Sequence, residues 1–169
     1  EPIEINVQLG QSQLVGWLTQ VTGKKQVFYR TATIKAKDMI KAYLYHLVGS
    51  FGAHITETWV VGLDGQYQFK VQSAQDAKSQ LDNWFRLYQA SLQQPVAFFP
   101  TAAWQFATTG DFAKAAQKFA GGEYIGRGEA ENPYVALDFK RLEPHEAEFI
   151  RWSELLVSPI AAHAVEVKH

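Results

Sequence analysis

The spacing of apolar residues changes near residue 34, and this change constrains the fold more than any other feature of the sequence. Upstream, apolar and polar residues alternate over residues 3–9, which predicts a strand. Downstream, apolar residues over 34–48 recur at helical spacing, and we expect Gly49 to end that helix. Strands followed by an amphipathic helix favour a sheet with helices packed on it.

Further strand signals fill the first part of the chain. We predict a three-stranded antiparallel meander, followed after the helix by a second pair of strands. The five predicted strands cover residues 3–9, 14–21, 26–30, 57–62 and 66–71. The last two flank Asp64-Gly65, a dipeptide typical of tight hairpins.

Beyond residue 72 the pattern is mainly helical. Ser73 is a suitable N-cap for a long helix to about Gln93, which Pro95 ends. Four shorter elements are expected after it. The first two are a helix capped by Thr101 and a helix over 112–119 capped by Asp111, and a strand follows at 134–139. The last helix starts at Glu143-Pro144 and is stopped or kinked by Pro159. We therefore predict an α/β (α+β) fold with a mixed sheet flanked by helices.

Length and composition set limits on organisation and chemistry. The 169 residues fit one domain, with strands and the first helix in residues 1–71 and a mainly helical remainder in 72–169. The absence of cysteine excludes disulfides, thiolate metal sites and thiol catalysis. The five histidines have no metal-ligand spacing. Three loop acids, Glu123, Glu129 and Glu131, match no calcium-loop spacing, so we expect a solvated loop and no cofactor.

Positive charge is concentrated in residues 22–41. The chain as a whole has a formal net charge of −1, whereas this segment has six basic residues against Asp38, a net charge of +5. The basic residues are Lys24, Lys25, Arg30, Lys35, Lys37 and Lys41. Such a cluster predicts contact with phosphates, and an ordinary solvated turn and helix face is the alternative.

The same region has the layout of a metal-dependent nuclease without its acids. Such enzymes place a carboxylate on one strand and an acid-x-Lys on the next, because a hard divalent cation needs anionic oxygen ligands. Thr19 stands at the first position here, and Phe28 and Arg30 stand at the other two. The sequence therefore predicts a degenerate site at Thr19, Phe28 and Arg30, with no metal, and an ordinary hairpin followed by a helix is the alternative.

An apolar segment lies between Pro95 and Trp104. Phe98, Phe99 and Trp104 flank or follow two prolines and form no helical stripe. Buried, these rings pack the preceding long helix, and exposed, they form a docking patch for a partner. Burial is the default for phenylalanine.

Four segments, in this order, give the chain its resemblance to a known family. They are LVGWL at 14–18, IKAKDMIKAYLYHL at 34–47, WFRLYQASLQQPVAFFP at 84–100 followed by Trp104, and Gly128-Glu129 with Asn132-Pro133-Tyr134. Together they resemble the C-terminal domain of RecC, the gamma subunit of bacterial exodeoxyribonuclease V. The exit Pro-x-x-Phe-Phe-Pro followed by tryptophan is the most specific of them.

This resemblance implies a restriction-endonuclease-like PD-(D/E)XK nuclease fold with a degenerate active site. It implies a cytoplasmic, non-catalytic subunit that joins the motor subunits RecB and RecD and helps to split and channel duplex DNA during double-strand break repair. It also implies a C-terminal domain cut from a longer subunit, which agrees with the start at Glu1 without Met; we expect His169 to be an added terminal residue. No apolar run is long enough for a membrane helix.

Two alternatives to a DNA-binding scaffold remain open. The first is an active metal-dependent DNA nuclease with relocated carboxylates, in which Glu4 or Glu57 replaces the missing acids. The second is a domain that only docks the motor subunits and makes no DNA contact. The sequence does not place the strand-separating element on particular residues.

Overall fold

A computed structural model of the chain describes residues 1–52 and 54–168, so His169 lies outside the described residues. The strands are β1 Ile3–Leu9, β2 Ser12–Leu18, β3 Val21–Thr22, β4 Lys25–Tyr29, β5 Glu57–Val61, β6 Gln66–Lys70 and β7 Val165–Glu166. The α-helices are α1 Ala36–Phe51, α2 Ala74–Gln93, α3 Pro100–Thr109, α4 Phe112–Ala120, α5 Pro133–Asp138, α6 Glu146–Trp152 and α7 Ser158–His163. Two compact units result, one of Glu1–Phe85 with His163–His169 and one of Arg86–Ala162. The assignment of all 169 residues to one domain stays a prediction.

The first unit contains two sheets. Strands β1 and β2 pair as an antiparallel hairpin of their own, and the second sheet has the order β3-β4-β5-β6-β7. The prediction of one three-stranded meander is wrong, because the chain breaks after β2: Gln20 has a positive φ of 59°, and pairing resumes only at Val21. Strands β4 and β5 are parallel and the other pairs antiparallel, which confirms the mixed sheet.

Helix α1 connects the two parallel strands and covers one face of the sheet. Its stripe of Met39, Ile40, Tyr43 and Leu47 is buried, as the helical spacing predicted. The helix continues through Gly49 to Phe51, so the predicted end at Gly49 is wrong. The glycine serves packing instead: a Cβ there would lie 2.8 Å from the Cβ of Ile55. This close approach brings the chain entering β5 against the helix.

Two local predictions of the first unit are confirmed. Strands β5 and β6 form an antiparallel hairpin across Asp64-Gly65, with the Gly62 N–H donating to the Gly65 carbonyl at 2.9 Å. Ser73 caps α2, because its Oγ accepts a hydrogen bond from the Asp76 N–H at 3.0 Å. Both signals depend only on residues near in sequence.

The second unit is helical around an aromatic core. The Phe99 ring packs against Phe119 and Phe139, with centroids 4.6 and 5.1 Å apart. Helix α4 begins after Asp111, whose Oδ1 accepts from the Lys114 N–H at 3.2 Å, and ends before Gly121 with a positive φ of 77°. The predicted cap and end of this helix are thus confirmed.

Two predictions for the second half are wrong, and a third is wrong in one of its two alternatives. Helix α3 begins at Pro100, one residue before the predicted cap Thr101, since proline fixes a helical φ at the first position. Residues 134–139 form helix α5 and its end instead of a strand: Pro133 starts it, and the Asn132 side chain accepts from the Tyr134 N–H at 3.0 Å. Of the two outcomes predicted at Pro159, the stop does not occur, because the last helix runs on as α7 after a π-helical turn at Ser153–Val157; the kink stays a prediction.

Candidate nucleic-acid interface

The structure separates the six basic candidates into two groups. Lys24 and Lys25 lie where β4 begins, whereas the others follow the end of β4 or lie on the first turns of α1. Because β4 has five residues and each adds about 3.3 Å, the two ends of this strand are about 15 Å apart. The cluster in sequence is therefore not a single patch in the structure.

Three lysines near the start of α1 have no ion-pair partner among the described residues, and the same is true of Lys24. Lys35 stands at the N-cap position, and Lys37 and Lys41 are one helical turn apart on the same face. All three are exposed, and within the described part of the chain no carboxylate lies within salt-bridge distance of them. Their charges are available to a polyanion.

Arg30 and Lys25 have partners inside the protein. The Arg30 guanidinium lies 3.0 Å from Asp38 Oδ2 and donates to Oδ1 at 3.1 Å, while Asp38 also accepts from the Lys35 N–H at 2.8 Å. Arg30 thus ties the end of β4 to the start of α1. Lys25 pairs with Glu57 across the parallel strands. These two side chains support the fold as well as adding charge.

The three vestigial positions do not meet in one site. Thr19 is exposed at the break after β2, the Phe28 ring packs on Tyr45 of α1 at 5.5 Å, and Arg30 binds Asp38. The side chain that adjoins Thr19 is Gln26, which donates to the Thr19 carbonyl at 2.9 Å and is fully buried. No motif in the sequence signals Gln26, because its contact is with a backbone carbonyl seven residues earlier.

The acids proposed as relocated ligands lie in different sheets. Glu4 is on β1 in the two-stranded sheet, and Glu57 is on β5 in the other. Glu57 accepts hydrogen bonds from Lys25, Gln68 and Trp59, and the bond from Lys25 is the main reason that its pKa is lowered. Within residues 1–52 and 54–168, no three His, Asp or Glu side chains form a group that could hold a metal ion.

His46 is a buried structural histidine on the face of α1 that meets the sheet. Its Nδ1 lies 2.9 Å from Thr58 Oγ1, and its Nε2 lies 2.9 Å from the Lys70 carbonyl. A carbonyl only accepts, so Nε2 carries the proton and Nδ1 accepts from the Thr58 hydroxyl. Burial lowers the pKa of His46 to about 4, which keeps the ring neutral.

The aromatic candidates of the second unit are mainly packing residues. Phe99 belongs to the core, and Phe98 and Trp104 are half-buried. Two of the three loop acids, Glu129 and Glu131, have structural partners, so the expectation of a solvated loop is wrong for Glu129, which is largely buried. Glu129 accepts from the Thr101 and Ala102 N–H groups at 2.8 and 3.0 Å, so it caps α3 from a distant loop, and burial raises its pKa.

These features define a class of protein: an α+β fold with a mixed sheet flanked by helices and with exposed lysines near both ends of strand β4. Residues 1–111 match the family model of the RecC C-terminal domain, and because this match spans most of the chain, the chain belongs to that family. No curated protein matches the chain. Family membership makes it part of a RecBCD complex in DNA repair. Among the described residues, no helix is both long and apolar enough to cross a membrane.

Proposed function

We propose that the chain is a non-catalytic DNA-binding and scaffolding domain of the helicase–nuclease. The observation that carries this proposal is the chemistry at the break between β2 and β3. Thr19 and Gln26 adjoin there, and both are neutral. A nuclease of this layout needs anionic oxygens at that place to hold a divalent cation.

The order of elements supports a degenerate PD-(D/E)XK fold. An antiparallel pair, β3 and β4, is followed by the crossover helix α1 and the parallel strand β5. The expected nuclease layout has the same sequence of hairpin and covering helix. On this assignment the scaffold of the nuclease persists while its ligand set is lost.

The remaining parts of the proposal concern partners. The domain contacts DNA through the exposed lysines of α1, joins the motor subunits RecB and RecD, and helps to split the duplex and channel its strands in the cytoplasm. A surface of lysines that lack internal ion pairs attracts phosphates and releases their counterions on binding.

Charge reversal on α1 tests the DNA contact. We expect Lys37→Glu with Lys41→Glu to weaken binding to a labelled forked duplex about tenfold at low salt, because two phosphate contacts are lost. The slope of log affinity against log salt should also become shallower by about 2. Fluorescence anisotropy at several salt concentrations, with magnesium present, measures both quantities.

A matched control carries the same change of charge elsewhere. Lys140→Glu with Arg141→Glu alters two exposed residues of the second unit, and we expect it to leave the salt slope unchanged. Equal losses of DNA affinity in both double variants would contradict a specific contact through α1. If the unmodified chain does not bind the forked duplex, a domain that only docks subunits is favoured. Metal-dependent cleavage that is lost in Glu57→Gln would instead support the relocated nuclease.

A further inference from the structure

One face of the five-stranded sheet is left open by the helix that covers the other. The face toward α1 includes Gln26, Phe28, Thr58 and Phe69, since Thr58 binds His46 and Phe28 and Phe69 contact Tyr45 and Tyr43. Side chains of a strand alternate between faces, so their neighbours point the other way. None of those neighbours on β4, β5 and β6 is buried.

The strand register arranges the open face in rows. The first row lies at the end of the sheet where β4 begins, and it consists of Lys25, Glu57 and Lys70 on three adjacent strands. The second row is Val27, Trp59, Gln68 and Val165. Tyr29 and Val61 begin the third row. Basic side chains thus border a surface whose centre is aromatic and apolar.

Two aromatic rings dominate this surface. Tyr29 is 71% exposed on β4, and Trp59 is only partly covered although its strand is central in the sheet. They lie on a diagonal between adjacent strands, with Cα atoms about 8 Å apart, which is within reach of large side chains. Trp59 is held in place by its hydrogen bond to Glu57. Both rings are therefore accessible to a ligand, and Tyr29 is the more exposed of the two.

The charge of the bordering row favours an anionic partner. Glu57 is the acid in this row, and three lysines lie beside it: Lys24, Lys25 and Lys70. Its carboxylate is already bonded to Lys25, Gln68 and Trp59. Lys24 and Lys70 are exposed, and none of the described carboxylates lies within salt-bridge distance of either. The centres of protein–protein interfaces are depleted of such unpaired lysines. Stacked duplex bases expose no faces to rings, whereas single strands do.

We infer that this open face, defined by Lys25, Tyr29, Trp59, Gln68 and Lys70, binds single-stranded nucleic acid. Bases stack on Trp59 and Tyr29, phosphates lie along the lysine row, and the Gln68 amide is placed to meet a base edge. The inference deepens the proposed DNA-binding function, on which it rests. It assigns single strands to a surface distinct from the exposed lysines of α1.

Ring removal tests the inference directly. Binding of the full chain to a fluorescein-labelled oligodeoxythymidylate is followed by anisotropy at low salt. We expect Trp59→Leu and Tyr29→Ala each to weaken binding about tenfold, because each removes one stacking partner. Trp59→Phe should retain most of the affinity, since the ring face is kept. A merely structural role for Trp59 predicts no such difference between the leucine and phenylalanine variants when both are folded.

The controls separate stacking from general aromatic exposure and from folding. Trp17→Leu removes a tryptophan that is 58% exposed on the other sheet, and Tyr134→Ala removes an exposed tyrosine of the second unit. Both should bind the oligonucleotide like the unmodified chain. If Trp59→Leu does not fold, Tyr29→Ala carries the test, because its side chain is exposed at the end of β4.

Two results would overturn the inference. Affinity unchanged in folded Trp59→Leu and Tyr29→Ala would exclude stacking on this face, and equal losses in the control variants would exclude its specificity. A parallel titration with a blunt duplex distinguishes failure of this inference from failure of the proposed function. If salt-dependent duplex binding persists and still requires Lys37 and Lys41, the proposed function stands without the open face. If neither DNA binds, both fail.

Discussion

The substitution His46→Leu is expected to lower the free energy of unfolding by about 3 kcal/mol. The leucine fills similar space but leaves the Thr58 hydroxyl and the Lys70 carbonyl without the partner that each has 2.9 Å away. Thr58 is fully buried, so water does not replace the lost bond. Urea denaturation followed by tryptophan fluorescence and circular dichroism measures the loss. His54→Leu, a change at an exposed histidine, should stay within about 0.5 kcal/mol of the unmodified chain.

The same residue should make stability depend on pH. The pKa of His46 is about 4 in the folded chain against an ordinary 6.5, so between these values the unfolded state binds a proton that the folded state does not. The contribution is complete above pH 6.5 and is lost as the pH falls toward 4, by about 3 kcal/mol in all. The difference in stability between the unmodified chain and His46→Gln isolates this effect. A difference that is constant over this range would show that burial does not hold His46 neutral.

A second large effect is expected for Gly128→Ala. The backbone of Gly128 is extended, which any residue can adopt, so the requirement for glycine is one of space. A Cβ would lie 2.5 Å from the carbonyl carbon of Ala120 and closer still to backbone atoms of Phe119 and Gly121. These atoms end α4 and cannot yield as a flexible side chain does. We expect a loss of about 3 kcal/mol or more, or failure to fold.

The neighbours of Gly128 explain why such a shift would spread. Its N–H donates to Glu131 at 2.8 Å, and the next residue, Glu129, caps α3. Displacing this segment would remove the cap from the start of that helix. Gly16→Ala is the matched control, since no atom lies within 4 Å of the Cβ it would add, and we expect it to be neutral. Equal stabilities for the two alanine variants would contradict the steric argument.

Features set by neighbouring residues could be predicted from the sequence. The Asp64-Gly65 hairpin, the Ser73 and Asp111 caps and the stripe of α1 each depend on a few residues. The prediction of a strand at 134–139 was wrong because it rested on the apolar content of the segment. The cap residue Asn132 and the following Pro133 are a stronger local signal, and they start a helix.

Features set by distant pairing could not be predicted. The parallel register of β4 and β5 places Lys25 opposite Glu57. The basic residues are then separated between the two ends of β4. The role of Glu129 depends on a contact with Thr101, 28 residues earlier. The hydrogen bond from the Gln26 side chain to the Thr19 carbonyl depends on the strand pairing that follows the break at Gln20, and no spacing in the sequence predicts it. Family resemblance gave the class of domain but not this geometry.

The last strand of the sheet has a consequence for the order in which the chain acquires its structure during synthesis. Val165–Glu166 pairs with β6, so about a hundred residues leave the ribosome between the two partners. Until then the N–H and C=O groups along β6 form an unpaired edge that can recruit another chain. A truncation at residue 111, where the family match ends, would make that edge permanent. Once it has been made, strand β7 thus covers part of this edge and limits edge-to-edge aggregation, so shortened versions of the domain should retain it.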